Sequence, residues 1–355
     1  MLKSEKMREQ FYPGTETLAP NEMRITALGT GRPFLRRSQA NTSFLVELGN
    51  GDIFMFDFGS GSQLNFTALE IPYEAVTGYF LTHLHADHAG DFPNVWVGGW
   101  AGGRLKALEV WGPSGAIPEH GTKHFVETQI SSWTWDTSTR TGLLPEVGQH
   151  VEVHEFDYAT PAVIYDRNGV SISSFPAVHI LDGPVSYRLE WNGRVFVFSG
   201  DTTPSQFMID YGQGADVLIH ECFNTVGQLM DRSGYDERTA RGIGTWAHSS
   251  PDEVGVVLAK CAPKLAVLYH HFNDFDTASE IESEVRKAYA GPLMLARDLM
   301  VINVKNDDIA VRMATVSDHV WPNKRGHDKF RSAVRAERPK MSQWLADAEL
   351  FPKGR

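Results

Sequence analysis

The chain has 355 residues, 42% hydrophobic residues and a formal net charge of −11 at pH 7, a composition typical of ordinary globular proteins. No apolar run reaches the length of a membrane span, the first residues lack the apolar core of a secretory signal, and two cysteines give no disulfide framework. We therefore expect a cytoplasmic protein with no membrane contact, and the negative charge argues against a nucleic-acid partner.

Runs of apolar residues separated by glycine-rich turns predict two series of strands. The first series comprises residues 24–30, 43–49, 53–57 and 77–82. The second comprises residues 151–156, 163–166, 170–175, 185–190 and 194–198. Helical periodicity is found at residues 252–261 and 277–289, and a last strand pair at 299–304 and 309–313. Two β-rich halves with interposed helices predict an α/β protein built as an αββα sandwich, whose site lies at one edge between the sheets.

The densest group of metal-binding side chains directly follows the strand predicted at residues 77–82. Within six positions the chain has His83, His85, Asp87 and His88. Imidazole and carboxylate are common ligands of zinc and related ions. In an extended segment His83 and His85 point to the same side, whereas Asp87 and His88 follow the turn and can face a second ion. The spacing predicts half of a two-metal site, and a solvated histidine-rich loop is the weaker alternative.

Three later strands end on residues that can complete such a site. His179 closes the run at residues 173–179, Asp201 follows an apolar strand and Gly200, and His271 closes the run at residues 265–271. Polar residues at the carboxyl ends of buried strands are the usual components of sites in α/β proteins. We therefore expect these three side chains to join the histidine cluster.

The order of these motifs resembles the metallo-β-lactamase-fold hydrolases, and closer matches favour the branch that contains ribonuclease Z and arylsulfatase-like enzymes. The supporting motifs lie at residues 28–31, 56–63, 108–113, 216–221 and 248–250. The resemblance spans about residues 24–304. It implies an αββα sandwich of the metallo-β-lactamase type. From the last predicted strand pair, we divide the chain into an N-terminal arm (1–23), a hydrolase domain (24–314) and a C-terminal helical extension (315–355).

The resemblance also implies which residues bind metal. The first ion would be held by His83, His85 and His179, and the second by Asp87, His88 and His271, with Asp201 bridging both. His271 is preferred because the family pattern places this ligand directly before a phenylalanine, here Phe272, and His270 is the fallback.

Further residues would assist the metals. Asp57 would orient the metal loop, with an ordinary strand-end carboxylate as the alternative. His248 and Glu221 would form a catalytic dyad that donates a proton to the leaving group, with a purely structural hydrogen bond as the alternative. Asp87 would also act in catalysis by guiding a proton.

The expected cofactors are two divalent metal ions, with Zn²⁺ as the default and Mn²⁺ or iron left open. Two such ions activate a hydroxide that can attack an ester, a sulfate ester, a lactone, an amide or a phosphodiester. We therefore predict a metallo-hydrolase that acts on a small organic molecule. One alternative is a ribonuclease Z-like phosphodiesterase that processes RNA 3′ ends. Another is a redox or scaffold protein with a structural di-metal centre.

Two observations favour a small substrate over transfer RNA. The loop at residues 33–41 lacks the Pro-x-Lys-x-Arg-Asn motif of ribonuclease Z, and no segment for its flexible arm is evident. Arg36 and Arg37 in that loop could instead hold a phosphate, sulfate or carboxylate.

Other segments leave two interpretations open. The tryptophans at residues 92–103, 133–135 and 246 are either walls of a substrate pocket or parts of the core or of a dimer contact. The glycines at residues 98–103 suggest either a mobile lid or a plain loop. The basic stretch at residues 324–340 predicts a solvated helix or tail, with a subunit contact as the alternative. Base rates favour a homodimer.

Overall fold

The structure is a computed structural model that describes residues 8–306, 308–321 and 340–351. Its strands in these ranges, β1 to β16, are Gln10–Phe11, Met23–Gly29, Ser43–Leu48, Ile53–Phe56, Gly78–Phe80, Leu108–Pro113, Val151–Phe156, Ala162–Arg167, Val170–Pro176, Val185–Trp191, Arg194–Phe198, Val217–Glu221, Leu265–Tyr269, Leu293–Leu295, Met300–Val304 and Ile309–Ala314. Its α-helices, α1 to α11, are Ser62–Ala68, Ala86–Ala89, Gly99–Ala101, Thr122–Ser132, Thr134–Arg140, Gln206–Gly212, Val226–Ser233, Glu237–Arg241, Pro251–Cys261, Phe275–Arg286 and Gln343–Ala346. Short 3₁₀ turns occur at Tyr73–Ala75, Pro118–His120 and Glu146–Gln149, and wider π-helical turns at Asn94–Gly98 and Gly242–Ala247.

The strands form two sheets that pack face to face. The first sheet has the order β1-β16-β15-β2-β3-β4-β5-β6-β7, and the second has the order β14-β13-β12-β11-β10-β9-β8. Aromatic rings fill the space between them: Phe56 of β4 lies 5.1 Å from Phe196 and 6.1 Å from Phe198 of β11, measured between ring centroids. This inner layer is apolar from both sides and is the main hydrophobic core.

Helices cover the outer face of each sheet. On the first sheet, Phe66 of α1 and Val126 of α4 pack on a second apolar cluster. On the other sheet, α9 and α10 pack on a third cluster, and both helices begin at capping boxes, Ser250 with Glu253 and Asp274 with Thr277. The layers are therefore helix, sheet, sheet, helix, which confirms the predicted αββα sandwich.

The predicted strands are confirmed to within one or two residues at their ends, and the predicted helices become Pro251–Cys261 and Phe275–Arg286. The described residues contain no helix long and apolar enough to cross a membrane. Both cysteines are buried and not bonded to each other, and Cys222 fills a place in the core behind the second sheet. The domain boundaries after residues 23 and 314 stay predictions, and the basic stretch at residues 324–340 lies, except for Lys340, outside the described residues.

Two segments rich in tryptophan or glycine are helical. Thr122–Ser132 and Thr134–Arg140 form α4 and α5, with Trp133 at their junction, although their serine- and threonine-rich composition gives no clear helical pattern. The glycine-rich segment at residues 98–103 continues a helical turn, and Trp96 and Trp100 beside it are completely buried and donate hydrogen bonds to the carbonyls of Gln149 and Pro145. These two tryptophans belong to the core rather than to a pocket wall.

A carboxylate late in the chain fixes the loop that follows β2. Asp298 accepts hydrogen bonds from the backbone N–H and hydroxyl of Thr30 (3.1 and 2.8 Å), the N–H of Ala40 (2.7 Å) and the amide of Asn65 (3.2 Å). The carbonyl of Thr30 in turn accepts from the N–H of His270 (2.9 Å). The loop at residues 30–40 is thus held between α1, the β13 end and the segment before β15.

Asp298→Ala should lower the free energy of unfolding by about 2–4 kcal/mol, because it leaves several polar groups without their partner. This change is measured by chemical denaturation, on condition that the variant and the wild type have the same m-value. Asp231→Ala removes an exposed carboxylate from a helix and should change stability by less than about 0.5 kcal/mol. Equal effects of the two substitutions would contradict the anchoring role of Asp298.

Candidate metal centre

The candidate site lies where the carboxyl ends of strands from both sheets meet. The histidine loop follows β5, His179 follows β9, Asp201 follows β11, and His270 follows β13. Gly200 is essential to this approach, because its φ of +59° and a Cβ only 2.7 Å from Cβ of Thr82 would exclude a larger residue. The strand ends therefore deliver polar side chains from distant parts of the sequence to one buried volume.

Three imidazoles form the first group. Nδ1 of His85 lies 3.0 Å from Nε2 of His83 and 3.2 Å from Nε2 of His179. Nδ1 of His179 donates to the carbonyl of Ala247 (2.6 Å), so its Nε2 carries a lone pair. Burial lowers the pKa of all three histidines, most strongly that of His83. Neutral imidazoles with converging lone pairs are the form in which histidine binds metal.

Two carboxylates and two imidazoles form the second group. Nε2 of His270 lies 3.0 Å from Oδ2 of Asp87 and 3.4 Å from Oδ2 of Asp201, and Nε2 of His88 lies 3.2 Å from Oδ1 of Asp201. All four side chains are buried. Burial opposes the charge of His88, but Asp201, Asp87 and Asp57 raise its pKa well above the usual value. The local potential therefore stabilises positive charge.

Asp201 belongs to both groups. Its Oδ2 is 3.8 Å from Nε2 of His83 and 3.8 Å from Nε2 of His179, in addition to its approach to His270. Burial tends to raise the pKa of Asp201, but the surrounding histidines, first His270 and then His88, lower it well below the usual value. This position between the groups is the one predicted for a bridging carboxylate.

Asp57 holds the histidine loop that follows β5 in place. Its carboxylate accepts hydrogen bonds from the N–H and hydroxyl of Thr82 (both 2.8 Å) and pairs with Nδ1 of His88 (2.7 Å). Burial raises the pKa of Asp57, and the interaction with His88 opposes that rise. Because Nδ1 of His88 is held in this way, its Nε2 is directed to Asp201. The geometry matches the orienting role expected for Asp57.

The structure replaces His271 with His270 as the residue beside Asp87 and Asp201. His270 has a left-handed backbone (φ 72°), which ends β13 and turns its ring into the site. His271 turns the other way, and its Nδ1 lies 3.1 Å from the carbonyl of Cys222 and 3.3 Å from that of Tyr269. Burial lowers the pKa of His271 to about 4, so the ring is neutral at pH 7. Sequence alone cannot distinguish adjacent histidines when the deciding feature is this turn.

The donor set fits divalent metal ions. Two buried carboxylate oxygens of these groups, Oδ1 of Asp87 and Oδ2 of Asp201, have no hydrogen-bond partner among the described residues. Buried polar atoms without partners are costly unless a ligand satisfies them. Nitrogen and carboxylate oxygen donors arranged in two adjoining groups suit two ions such as Zn²⁺.

His248 and Glu221 form the expected hydrogen-bonded pair at the border of the site. Nδ1 of His248 lies 3.1 Å from Oε1 of Glu221, which also accepts from the N–H of Thr202 (2.9 Å). The His248 ring stacks on Phe223 with centroids 4.3 Å apart. Burial opposes protonation of His248, but Glu221 and then Asp201 raise its pKa. The pair is therefore suited to hold and release a proton.

A cavity of about 270 Å³ opens beside the first histidine group. Leu84, Pro113, Ile180, Leu181 and Pro184 give it apolar walls, and its polar lining outside the histidine group consists of Glu119, His120 and Asp182. No lysine or arginine is among its described lining residues. The cavity can accept a flat apolar group next to the candidate metal site.

The expected anion-binding residues are only partly available. Arg36 forms a bidentate ion pair with Asp274 (3.0 and 2.6 Å), which commits its guanidinium. Arg37 is exposed. The third arginine of this region, Arg32, is buried against Phe223 and Phe272, and the sequence analysis did not single it out. Its position after Gly31 and before Pro33 gave no signal of burial.

Several known proteins are similar to this chain in sequence. A ribonuclease Z of Mycobacterium marinum is 27% identical over 288 residues, which cover 79% of this chain and 98% of that protein. A ribonuclease Z of Mycobacterium bovis is 31% identical over 204 residues, which cover 56% of this chain and 69% of that protein. The family described as anti-Pycsar protein Apyc1 matches residues 23–98.

Solved structures share the fold. The metallo-β-lactamase-fold protein YhfI from Bacillus subtilis has a TM-score of 0.59 at 18% identity, covering 80% of this chain and 100% of its own. The short form of human tRNase Z has a TM-score of 0.59 at 20% identity, covering 79% of this chain and 98% of its own. These likenesses concern the arrangement of sheets and helices.

His270→Ala should reduce the metal bound per chain from about two ions to about one, because it removes a nitrogen donor from the second group. Metal analysis after exhaustive dialysis measures this change. His271→Ala is the matched control, since it removes a buried histidine one position away and should retain metal. Loss of metal from the control alone, with both variants folded, would restore the assignment of His271.

Proposed function

This chain belongs to the ribonuclease Z family of the metallo-β-lactamase superfamily, and on that premise we propose that it hydrolyses phosphodiester bonds in RNA. Membership makes the chain a metal-dependent hydrolase, which excludes a purely redox or scaffold role. The relatives favour the RNA-processing alternative over the expected small organic substrate. The observation that carries the proposal is the pair of donor groups that share Asp201, because two adjoining metal ions are the common device for phosphodiester hydrolysis.

Each donor group would hold one ion, most naturally Zn²⁺. His83, His85 and His179 would bind the first, Asp87, His88 and His270 the second, and Asp201 would contact both. When bound, such ions polarise a phosphoryl oxygen and lower the pKa of water near them. Asp57 would keep His88 in its binding orientation through Nδ1, and Asp87 would accept and guide a proton.

His248 would supply the proton that the departing oxygen needs. Glu221 holds its Nδ1, so that Nε2 is the nitrogen available to the substrate, and it stabilises the protonated ring. The stacking of His248 on Phe223 fixes the plane of the imidazole. Proton transfer matters most when the leaving group is a poor one, such as a ribose hydroxyl.

The cavity beside His85 and His179 is suited to a nucleobase. Its apolar walls, formed in part by the exposed side chains of Ile180 and Leu181, can pack against the flat ring. His120 and Asp182 at its polar border could pair with base edges. This combination supports recognition of an unpaired nucleotide next to the scissile phosphate.

A second candidate is a small phosphodiester rather than a long RNA. The net charge of −11 and the acidic residues Glu119 and Asp182 at the cavity repel a polyanion. A substrate the size of one nucleotide would be repelled much less, because it carries far fewer charges. This candidate keeps the same metal and proton-transfer chemistry.

We expect the protein, loaded with zinc or manganese, to cleave a transfer RNA carrying a 3′ extension and to lose that activity in a chelator. The same preparations are assayed with bis(p-nitrophenyl) phosphate, and the RNA reaction is repeated over a salt series. RNA cleavage weakened steeply by salt supports the nuclease, because the substrate is bound as a polyanion. Turnover of the small diester with no RNA cleavage supports the second candidate. A metal-loaded protein that cleaves neither contradicts both.

His248→Ala should reduce kcat on RNA by about 10²–10⁴-fold, because its alkoxide leaving group requires a proton. On bis(p-nitrophenyl) phosphate the loss should be at least tenfold smaller, since nitrophenolate departs without one. Glu221→Gln should follow the same pattern with a smaller loss on RNA. Equal losses on both substrates would indicate a structural role for the pair.

A further inference from the structure

Arg32 lies beside the site in an unusual environment. Its side chain is 8% exposed and contacts two phenyl rings, with Cζ 3.9 Å from the centroid of Phe272 and 4.6 Å from that of Phe223. These cation–π contacts hold the plane of the guanidinium. These contacts do not give any of its N–H groups a hydrogen-bond acceptor.

No carboxylate compensates this charge in the part of the chain that the structure describes. No hydrogen bond or ion pair of the guanidinium occurs among those residues, and Nε is buried without a partner. Tyr235, Arg36 and His271 are the titratable groups that interact with it, and none of them is a carboxylate. Burial lowers the pKa of Arg32 to about 10, so the side chain remains charged at neutral pH. A buried charge of this kind is stabilised when an anion binds to it.

The guanidinium is close to the proton-donating pair. The Phe223 ring, which contacts Arg32, stacks on His248 with an interplanar angle of 8° and lies 5.6 Å from His270. Phe272, the other contact, is two residues after His270. Arg32 is therefore separated from His248 by no more than one aromatic ring. It lies near the leaving-group side of the site, whereas the apolar cavity adjoins the first histidine group.

We propose that Arg32 binds the phosphate that neighbours the scissile phosphodiester on the leaving-group side of the substrate. The proposal rests on the proposed function, because it presupposes a substrate with successive phosphates. Arginine is suited to this role, since its planar fork can donate two hydrogen bonds to one phosphate. Arg36 cannot take the role while it is paired with Asp274, and Arg37 is exposed.

The test compares dinucleotides that differ by one phosphate. The substrates are UpU, pUpU and UpUp, and identification of the products establishes which added phosphate belongs to the leaving group. In the wild type, that phosphate should raise kcat/KM about tenfold, mainly through KM, as expected for a charge-assisted contact. In Arg32→Gln the ratio of kcat/KM with and without this phosphate should fall to about one. Arg37→Gln, which removes an exposed arginine from the same loop, should keep the wild-type ratio.

Two further measurements separate binding from folding and from chemistry. Arg32→Lys keeps the charge without the fork and should give an intermediate ratio, so it replaces Arg32→Gln if that variant unfolds. Calorimetric titration with uridine 3′,5′-bisphosphate and uridine 5′-monophosphate reports binding without turnover. The wild type should prefer the bisphosphate, and the Arg32 variants should lose that preference.

The outcomes are distinct. A ratio unchanged in both Arg32 variants, with active wild type, overturns the phosphate contact and leaves the proposed function intact. No hydrolysis of any dinucleotide or RNA, together with Arg32-dependent bisphosphate binding, overturns the proposed function and keeps the anion site. No hydrolysis and no Arg32-dependent binding overturns both.

Discussion

A carboxylate buried among imidazoles is the interaction on which this molecule depends. Oδ2 of Asp201 lies 3.4–3.8 Å from ring nitrogens of His83, His179 and His270, and Oδ1 lies 3.2 Å from His88. Such a group is tolerated in a protein interior only where positive charge surrounds it. His270 and His88 favour the ionised carboxylate, whereas the neutral imidazoles of His83 and His179 contribute lone pairs. Together these groups form a volume that suits a divalent cation.

The fold holds several of the site's imidazoles from outside. Asp57 holds His88, the carbonyl of Ala247 holds His179, and Glu221 holds His248, so the rings cannot turn their second nitrogens away. These supports come from both sheets and from the π-helical turn before His248. The site is therefore as rigid as the packing between the sheets, where Phe56 meets Phe196 and Phe198.

Sequence reasoning succeeded where chemistry is concentrated locally or marked by a strand. The cluster from His83 to His88 is conspicuous in itself, and Asp201 follows a run of apolar residues that could only be a buried strand. The αββα layering followed from the alternation of strands and helices in the same way.

It failed where the answer depends on a backbone turn or on a distant partner. The left-handed conformation that selects His270 over His271 has no signature in the residues themselves. Arg36 resembled a free cation because its partner, Asp274, is 238 positions away. Arg32 was overlooked for the same reason, because its two contacts, Phe223 and Phe272, are in the second half of the chain. Long-range contacts of this kind are specified by the fold and not by local pattern.

The hydrogen bonds that Asp298 accepts from the loop at residues 30–40 have a consequence for the order in which the site can form during synthesis. They join Thr30 and Ala40 to a residue 268 and 258 positions later, and Thr30 also fixes the backbone of His270. A nascent chain grows from its N-terminus, so the early histidine loop leaves the ribosome long before the residues that close the site. Until His270 emerges, the candidate ligand set is incomplete. The hydrogen bonds of Asp298, which hold the loop at residues 30–40, form later still.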